Sequence, residues 1–93
     1  MTEVVVSIQA YEDEIERALQ TLEMAGELDR ALAAYREVEE KLQTLDVSSE
    51  PAAKRAQQRV LAYCLIRQGN VLRQRGEPQR ALEMGEREMA AAR

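Results

Sequence analysis

The 93-residue sequence contains no histidine, no tryptophan and no phenylalanine; its aromatic residues are Tyr11, Tyr35 and Tyr63. Without histidine, the usual acid–base residue and the usual transition-metal ligand are both missing. The single cysteine, Cys64, has no partner for an internal disulfide. It lies within the apolar run VLAYCLI and so reads as a small core residue of a reducing compartment, the cytoplasm. Apolar runs such as VVV at 4–6 fall far short of the about 18 residues that a membrane span requires, and no basic segment precedes a stretch of secretory length. Glycine and proline are scarce, at four and two residues, so the chain has few places at which a helix must break.

What is present is a helix-forming alphabet. Ala, Leu, Glu, Arg and Gln dominate, with long unbranched or small side chains that lose little freedom in a helix. The expected class is all-α, in a single domain near the size at which one core supplies only a few kcal/mol of net stability. The net charge of −4 conceals a division. Residues 1–50 carry four basic and thirteen acidic side chains, a balance of −9; residues 51–93 carry nine and four, a balance of +5. Two readings follow: the halves attract each other within one folded unit, or surfaces of opposite sign meet on different chains.

Val4, Ile8, Tyr11, Ile15, Ala18 and Leu22 recur at alternating steps of four and three, the apolar stripe of a helix over about residues 3–25. Gly26 ends it, because glycine takes the left-handed conformation at low cost. Leu28, Ala31, Tyr35, Val38, Leu42 and Leu45 repeat the spacing over about 28–45. The segment DVSSEP then predicts a break, with Ser48 or Ser49 capping a third helix and Pro51 in its first turn. That helix passes through Gly69 to Gly76, and Pro78 opens a fourth that continues into the alanine-rich end. Four helices with short turns make two antiparallel hairpins, about 3–46 and 51–92, around a turn at 47–50.

One spelling occurs twice: GELDRAL at 26–32 and GEPQRAL at 76–82, five identities at an offset of 50. In each copy a glycine closes one helix, and the next places a small residue, Ala31 or Ala81, where two helices can cross closely. This pattern resembles the tetratricopeptide repeat, a helix–turn–helix unit of about 34 residues. Leu65, Gly69, Leu72, Gly76 and Ala81 stand at its signature positions in the second copy, and Ile15, Ala18, Leu19, Leu22, Gly26, Ala31, Tyr35 and Val38 in the first. Leu19 replaces the signature glycine. Gln68, Gly85 and Glu88 also depart from the pattern and predict a loosely packed last helix. The long offset makes the units similar to the elongated repeats of kinesin light chain and Pins-type adaptor proteins.

The resemblance implies a superhelical stack of hairpins that serves as a non-catalytic scaffold for a protein or peptide, with the first helix of each unit lining a groove. At about 100° per residue, the third helix shows one face with Arg55, Arg59, Tyr63, Ile66, Asn70 and Arg73, turned away from Leu61, Leu65 and Leu72. By the resemblance, Asn70 stands where a side-chain amide pairs with a ligand backbone. The corresponding face of the first helix offers Asp13, Glu16, Gln20 and Glu23, so the expected groove has one acidic and one basic wall.

Other classes find less support. The carboxylates Glu12, Glu14 and Glu16 lack a histidine, a phosphate loop or a nucleophile beside them, so neither catalysis nor a cofactor is expected. A di-iron site in a four-helix bundle needs Glu-x-x-His pairs, which this chain cannot supply. Lys54, Arg55, Arg59 and Arg73 could contact phosphates, but the acidic first half opposes nucleic acid. The alternative to a peptide scaffold is self-assembly. About three repeats are normally needed to bury a repeat's open face, so either the chain opens a longer array or a second copy, as in a homodimer, covers the side bearing Met84 and Met89.

Overall fold

The computed structural model describes residues 3–91. Its elements are α1 (Glu3–Ala18), a π-helical turn (Leu19–Glu23), α2 (Leu28–Thr44), α3 (Pro51–Gln74) and α4 (Pro78–Ala91). The class is all-α, as the composition and periodicity predict; the last residues of the expected fourth helix lie outside the described residues. The principal extents are 41 × 26 × 15 Å. In this thin slab α3 is the central helix: it packs against α1, α2 and α4, whereas α4 packs chiefly against α3.

The apolar stripes form the core. Ile8, Ile15 and Ala18 of α1 are buried against Ala31, Tyr35, Val38 and Leu42 of α2 and Ala53, Val60, Cys64, Val71 and Leu72 of α3. Each fully buried large apolar side chain contributes about 1.5–3 kcal/mol relative to exposure. Val4, Tyr11, Leu22, Leu28, Leu45, Leu61 and Met84 border this core, half-buried. Met84 therefore belongs to the inner side of α4 and not to its open side. Val6, within the apolar run at the start of α1, is exposed.

The twofold spelling is a twofold structure. Gly26 and Gly76 adopt φ of +79° and +78°, the left-handed conformation that permits the reversal. Around them the same bonds recur. Glu27 N–H donates to Leu22 O at 2.9 Å and Glu77 N–H to Leu72 O at 2.8 Å; Ala31 N–H donates to Glu27 O at 2.9 Å and Ala81 N–H to Glu77 O at 3.1 Å. Even the surface pair is repeated, Arg30–Glu27 at 2.7 Å and Arg80–Glu77 at 2.8 Å. Gly69 lies inside α3 under Ala81, where a Cβ would stand 3.7 Å from both Ala81 O and Met84 Cβ.

Two local expectations are corrected. Ser48 and Ser49 do not cap α3: Glu50 occupies the N-cap position without a side-chain bond. The Ser48 N–H and hydroxyl instead donate to Asp46 Oδ1 at 3.1 and 2.7 Å, an Asx turn that takes the serine out of reach. Pro51 does occupy the first turn. The first helix also departs from regular α geometry. Thr21 Oγ1 donates to Arg17 O at 2.7 Å and Met24 N–H reaches back to Leu19 O at 2.9 Å, the five-residue span of a π turn. The wider turn shifts every later side chain around the axis.

Candidate interaction surface

The consequence of that shift falls on Glu23. Regular helical geometry would put it beside Glu16 and Gln20 on an open wall; it is instead only 8% exposed. Tyr35 Oη donates to Glu23 Oε1 at 2.9 Å and Gln74 Nε2 donates to Oε2 at 3.1 Å, with Arg67 Nη2 3.7 Å from the same oxygen. Glu23 is thus a buried acceptor joining α1, α2 and α3. Burial and the neighbouring carboxylate push the Tyr35 hydroxyl far above its ordinary value.

The acidic and basic walls meet each other instead of facing across an open groove. Arg59 Nη1 and Nη2 donate to the two Glu12 oxygens at 2.9 and 3.4 Å, and Tyr63 Oη donates to Glu16 Oε1. Glu12 raises the already high pKa of the Arg59 guanidinium. Burial, followed by the bond to Glu16, pushes the Tyr63 hydroxyl up to about 12. On the α1 side Asp13 accepts from Gln9 Nε2 at 3.1 Å, and Gln20 is exposed. Together with Glu23–Arg67, Asp29–Arg75 at 3.3 Å and Glu39–Arg87, the Glu12–Arg59 pair joins the negative half to the positive half. The charge division is therefore used inside one chain.

A second buried polar cluster occupies the α2/α3 interface. Gln68 Nε2 donates to Glu39 Oε1 at 2.7 Å, so the residue that departs from the repeat pattern is satisfied by a carboxylate. Arg87 of α4 donates to Glu39 Oε2. Cys64 Sγ donates to Tyr35 O at 3.1 Å, and burial pushes the thiol up to about 12, away from reactivity. Gln57 Nε2 donates to Leu42 O at 2.6 Å and so satisfies a carbonyl at the end of α2.

Four of the predicted residues remain on the outer side of α3. Arg55, Ile66 and Arg73 are exposed and Asn70 is half-buried, with Arg73 Nη1 donating to Asn70 Oδ1 at 3.1 Å. Arg55, Gln58, Arg59 and Ala62 line a shallow depression of about 340 Å³. Gln58 and Ala62 are not among the predicted residues, although Gln58 lies three residues from Arg55 and Ala62 three from Arg59, on the same face. At the far end of the helix a depression of about 230 Å³ lies among Arg73, Pro78, Ala81, Leu82 and Gly85. Along this strip Ile66 and Asn70 lie between the two depressions, of which one holds Arg55, Arg59 and Ala62 and the other Arg73 and Leu82.

Among the described residues no group of three histidine, cysteine, aspartate or glutamate side chains could hold a metal ion, and no helix is long and apolar enough to cross a membrane. In comparisons with family models, curated proteins and solved structures, the chain matches none of them.

Proposed function

We propose that the chain is a non-catalytic protein–protein interaction module, built as two tetratricopeptide-like hairpins, that binds an extended acidic segment along the outer face of α3. The observation that carries this reading is the strip itself. Arg55 and Arg73 project as exposed cations at its ends, with Ala62, Ile66 and Asn70 between them. By the helical rise the two arginines are about 27 Å apart along the axis, the span of about eight extended residues. A ligand of that length would place carboxylates at both ends, an apolar side chain over Ile66 and a backbone carbonyl at the Asn70 amide. The shared turn geometry of Gly26 and Gly76 supports the repeat reading.

Arg59, Tyr63 and Glu16 serve in this reading as the rim that fixes α3 against α1. Their bonds hold the strip straight and leave its outer edge to the ligand. Glu23 braces the same junction from within. The test is a fluorescence-anisotropy titration with a labelled decapeptide of glutamates around a central leucine, against the native chain and against Arg55→Glu with Arg73→Glu. The native chain binds, and the variant loses at least about tenfold, roughly 1.4 kcal/mol, with its helicity and solution mass unchanged. Equal binding by both would refute the assignment of this face.

A further inference from the structure

The two hairpins share a turn but not a covering. Residues of α2 and α4 correspond at the offset of 50, and the exposures of corresponding positions differ widely. Leu32 is 2% exposed and Leu82 66%; Glu39 is 8% exposed and Met89 62%. Leu32 belongs to the buried core, and Glu39 is bonded by Gln68 of α3 and Arg87 of α4. No described helix covers Leu82 and Met89 in this way, so they form an apolar ridge one face of which is open. A helix placed as α3 is placed on α2 would cover it.

Under the same offset the counterpart of α3 is α1. The side of α1 opposite α3 carries what the ridge requires. Ala18, Thr21, Leu22, Ala34 and Val38 form the floor of a depression of about 260 Å³ between α1 and α2, with Glu14 and Glu37 also in its lining. Arg17 and Lys41 stand on its border. Lys41 already pairs with Glu14 and Glu37 at 3.5 Å, while Arg17 is exposed. On the ridge Glu86 is exposed and lies four residues from Leu82, hence on the same face. Knob and recess, with a carboxylate beside one and a guanidinium beside the other, are thus on different helices of one molecule. Complementary surfaces at different places on a chain make a heterologous contact, which propagates unless rotation closes it.

We infer that copies of this chain associate head to tail, the Leu82–Met89 ridge of one copy seating in the α1/α2 recess of the next with Glu86 against Arg17. The occupant of the open face is a second copy of the chain, in the position that α3 holds on α2. This contact uses neither Arg55 nor the Ala62–Ile66 segment and meets the peptide strip only at the depression that Leu82 shares with Arg73; Met89 lies outside that depression, so a Met89→Lys variant separates self-association from peptide binding.

The experiment is sedimentation velocity on the full chain and on two variants, Leu82→Glu in the ridge and Thr21→Arg in the recess. Both positions are exposed, and circular dichroism verifies that each variant keeps the native helicity; Met89→Lys replaces Leu82→Glu should the latter fail to fold. The native chain is expected to rise above the mass of one copy, 10.5 kDa, as concentration increases from micromolar to millimolar. Each variant alone stays at the mass of one copy, and an equal mixture forms a pair and stops there, because one intact ridge remains for one intact recess. A native chain that stays monomeric throughout, a mixture that does not pair, or a Thr21→Arg variant that still associates by itself would overturn the proposal, the last by showing ridge-to-ridge pairing.

Discussion

Tyr35 donates its hydroxyl to Glu23 across the first hairpin, 2.9 Å from Oε1, with both side chains buried. Twelve residues apart in sequence, the two hold α2 to the end of α1, and Gln74 extends the link to α3. Tyr35→Phe removes one donor from a buried acceptor while keeping the ring. It is expected to lower the unfolding free energy by about 1–3 kcal/mol, read as a shift of the urea midpoint with an unchanged slope. Glu23→Ala leaves the Tyr35 and Gln74 donors and the Arg67 charge without their acceptor and should cost more than Tyr35→Phe.

Cys64 and Tyr63 both hold their protons more tightly in the folded chain, each pushed up to about 12 from 9.0 and 10.0 respectively. Tyr35 shifts in the same direction. In each case the unfolded chain releases its proton first as pH rises. Their contribution to stability is complete below the unfolded values and is lost as pH climbs through the folded ones. The urea midpoint should therefore fall between neutral pH and about pH 11. In the same range the native thiol resists iodoacetamide, and only unfolded chain is alkylated at the rate of a free cysteine.

The glycines separate into two kinds. Gly26 and Gly76 have positive φ, and alanine at either is strained whatever the space around it; each substitution is expected to cost about 1–3 kcal/mol. Gly85 is helical with nothing within 4 Å of an added Cβ, so Gly85→Ala should stabilise by about 0.5–1 kcal/mol. Thermal melts of the three single variants provide the comparison.

Corresponding positions in the two hairpins carry unequal energies. Leu32→Ala removes a buried core side chain of α2 and should cost about 2–5 kcal/mol. Leu82→Ala, at the repeat equivalent, should change stability by less than about 0.5 kcal/mol under conditions where the chain is monomeric.

The elements were legible because their signals are local. The stripe of Ile8, Ile15 and Ala18, the reversals at Gly26 and Gly76, and Pro51 at the head of α3 each depend on residues within a few positions of one another. The candidate surface was less so. Helical projection puts Arg55, Ile66 and Arg73 on one side correctly, but the closure of Arg59 onto Glu12 and Tyr63 onto Glu16 depends on the register of α1 against α3, which no spacing within one helix encodes. Glu23 turns inward because the π turn at Leu19–Glu23 interrupts the period from which its position was projected. Ser48 was misplaced for a competing local reason, the proximity of Asp46.

The most direct test of the account is a map of amide chemical-shift changes in the ¹⁵N-labelled chain as the acidic decapeptide is added. The account predicts changes concentrated on the outer face of α3, at Arg55, Ala62, Ile66, Asn70 and Arg73, with α2 unaffected. Saturable changes confined to α2 or α4, or no changes at millimolar peptide, would contradict it.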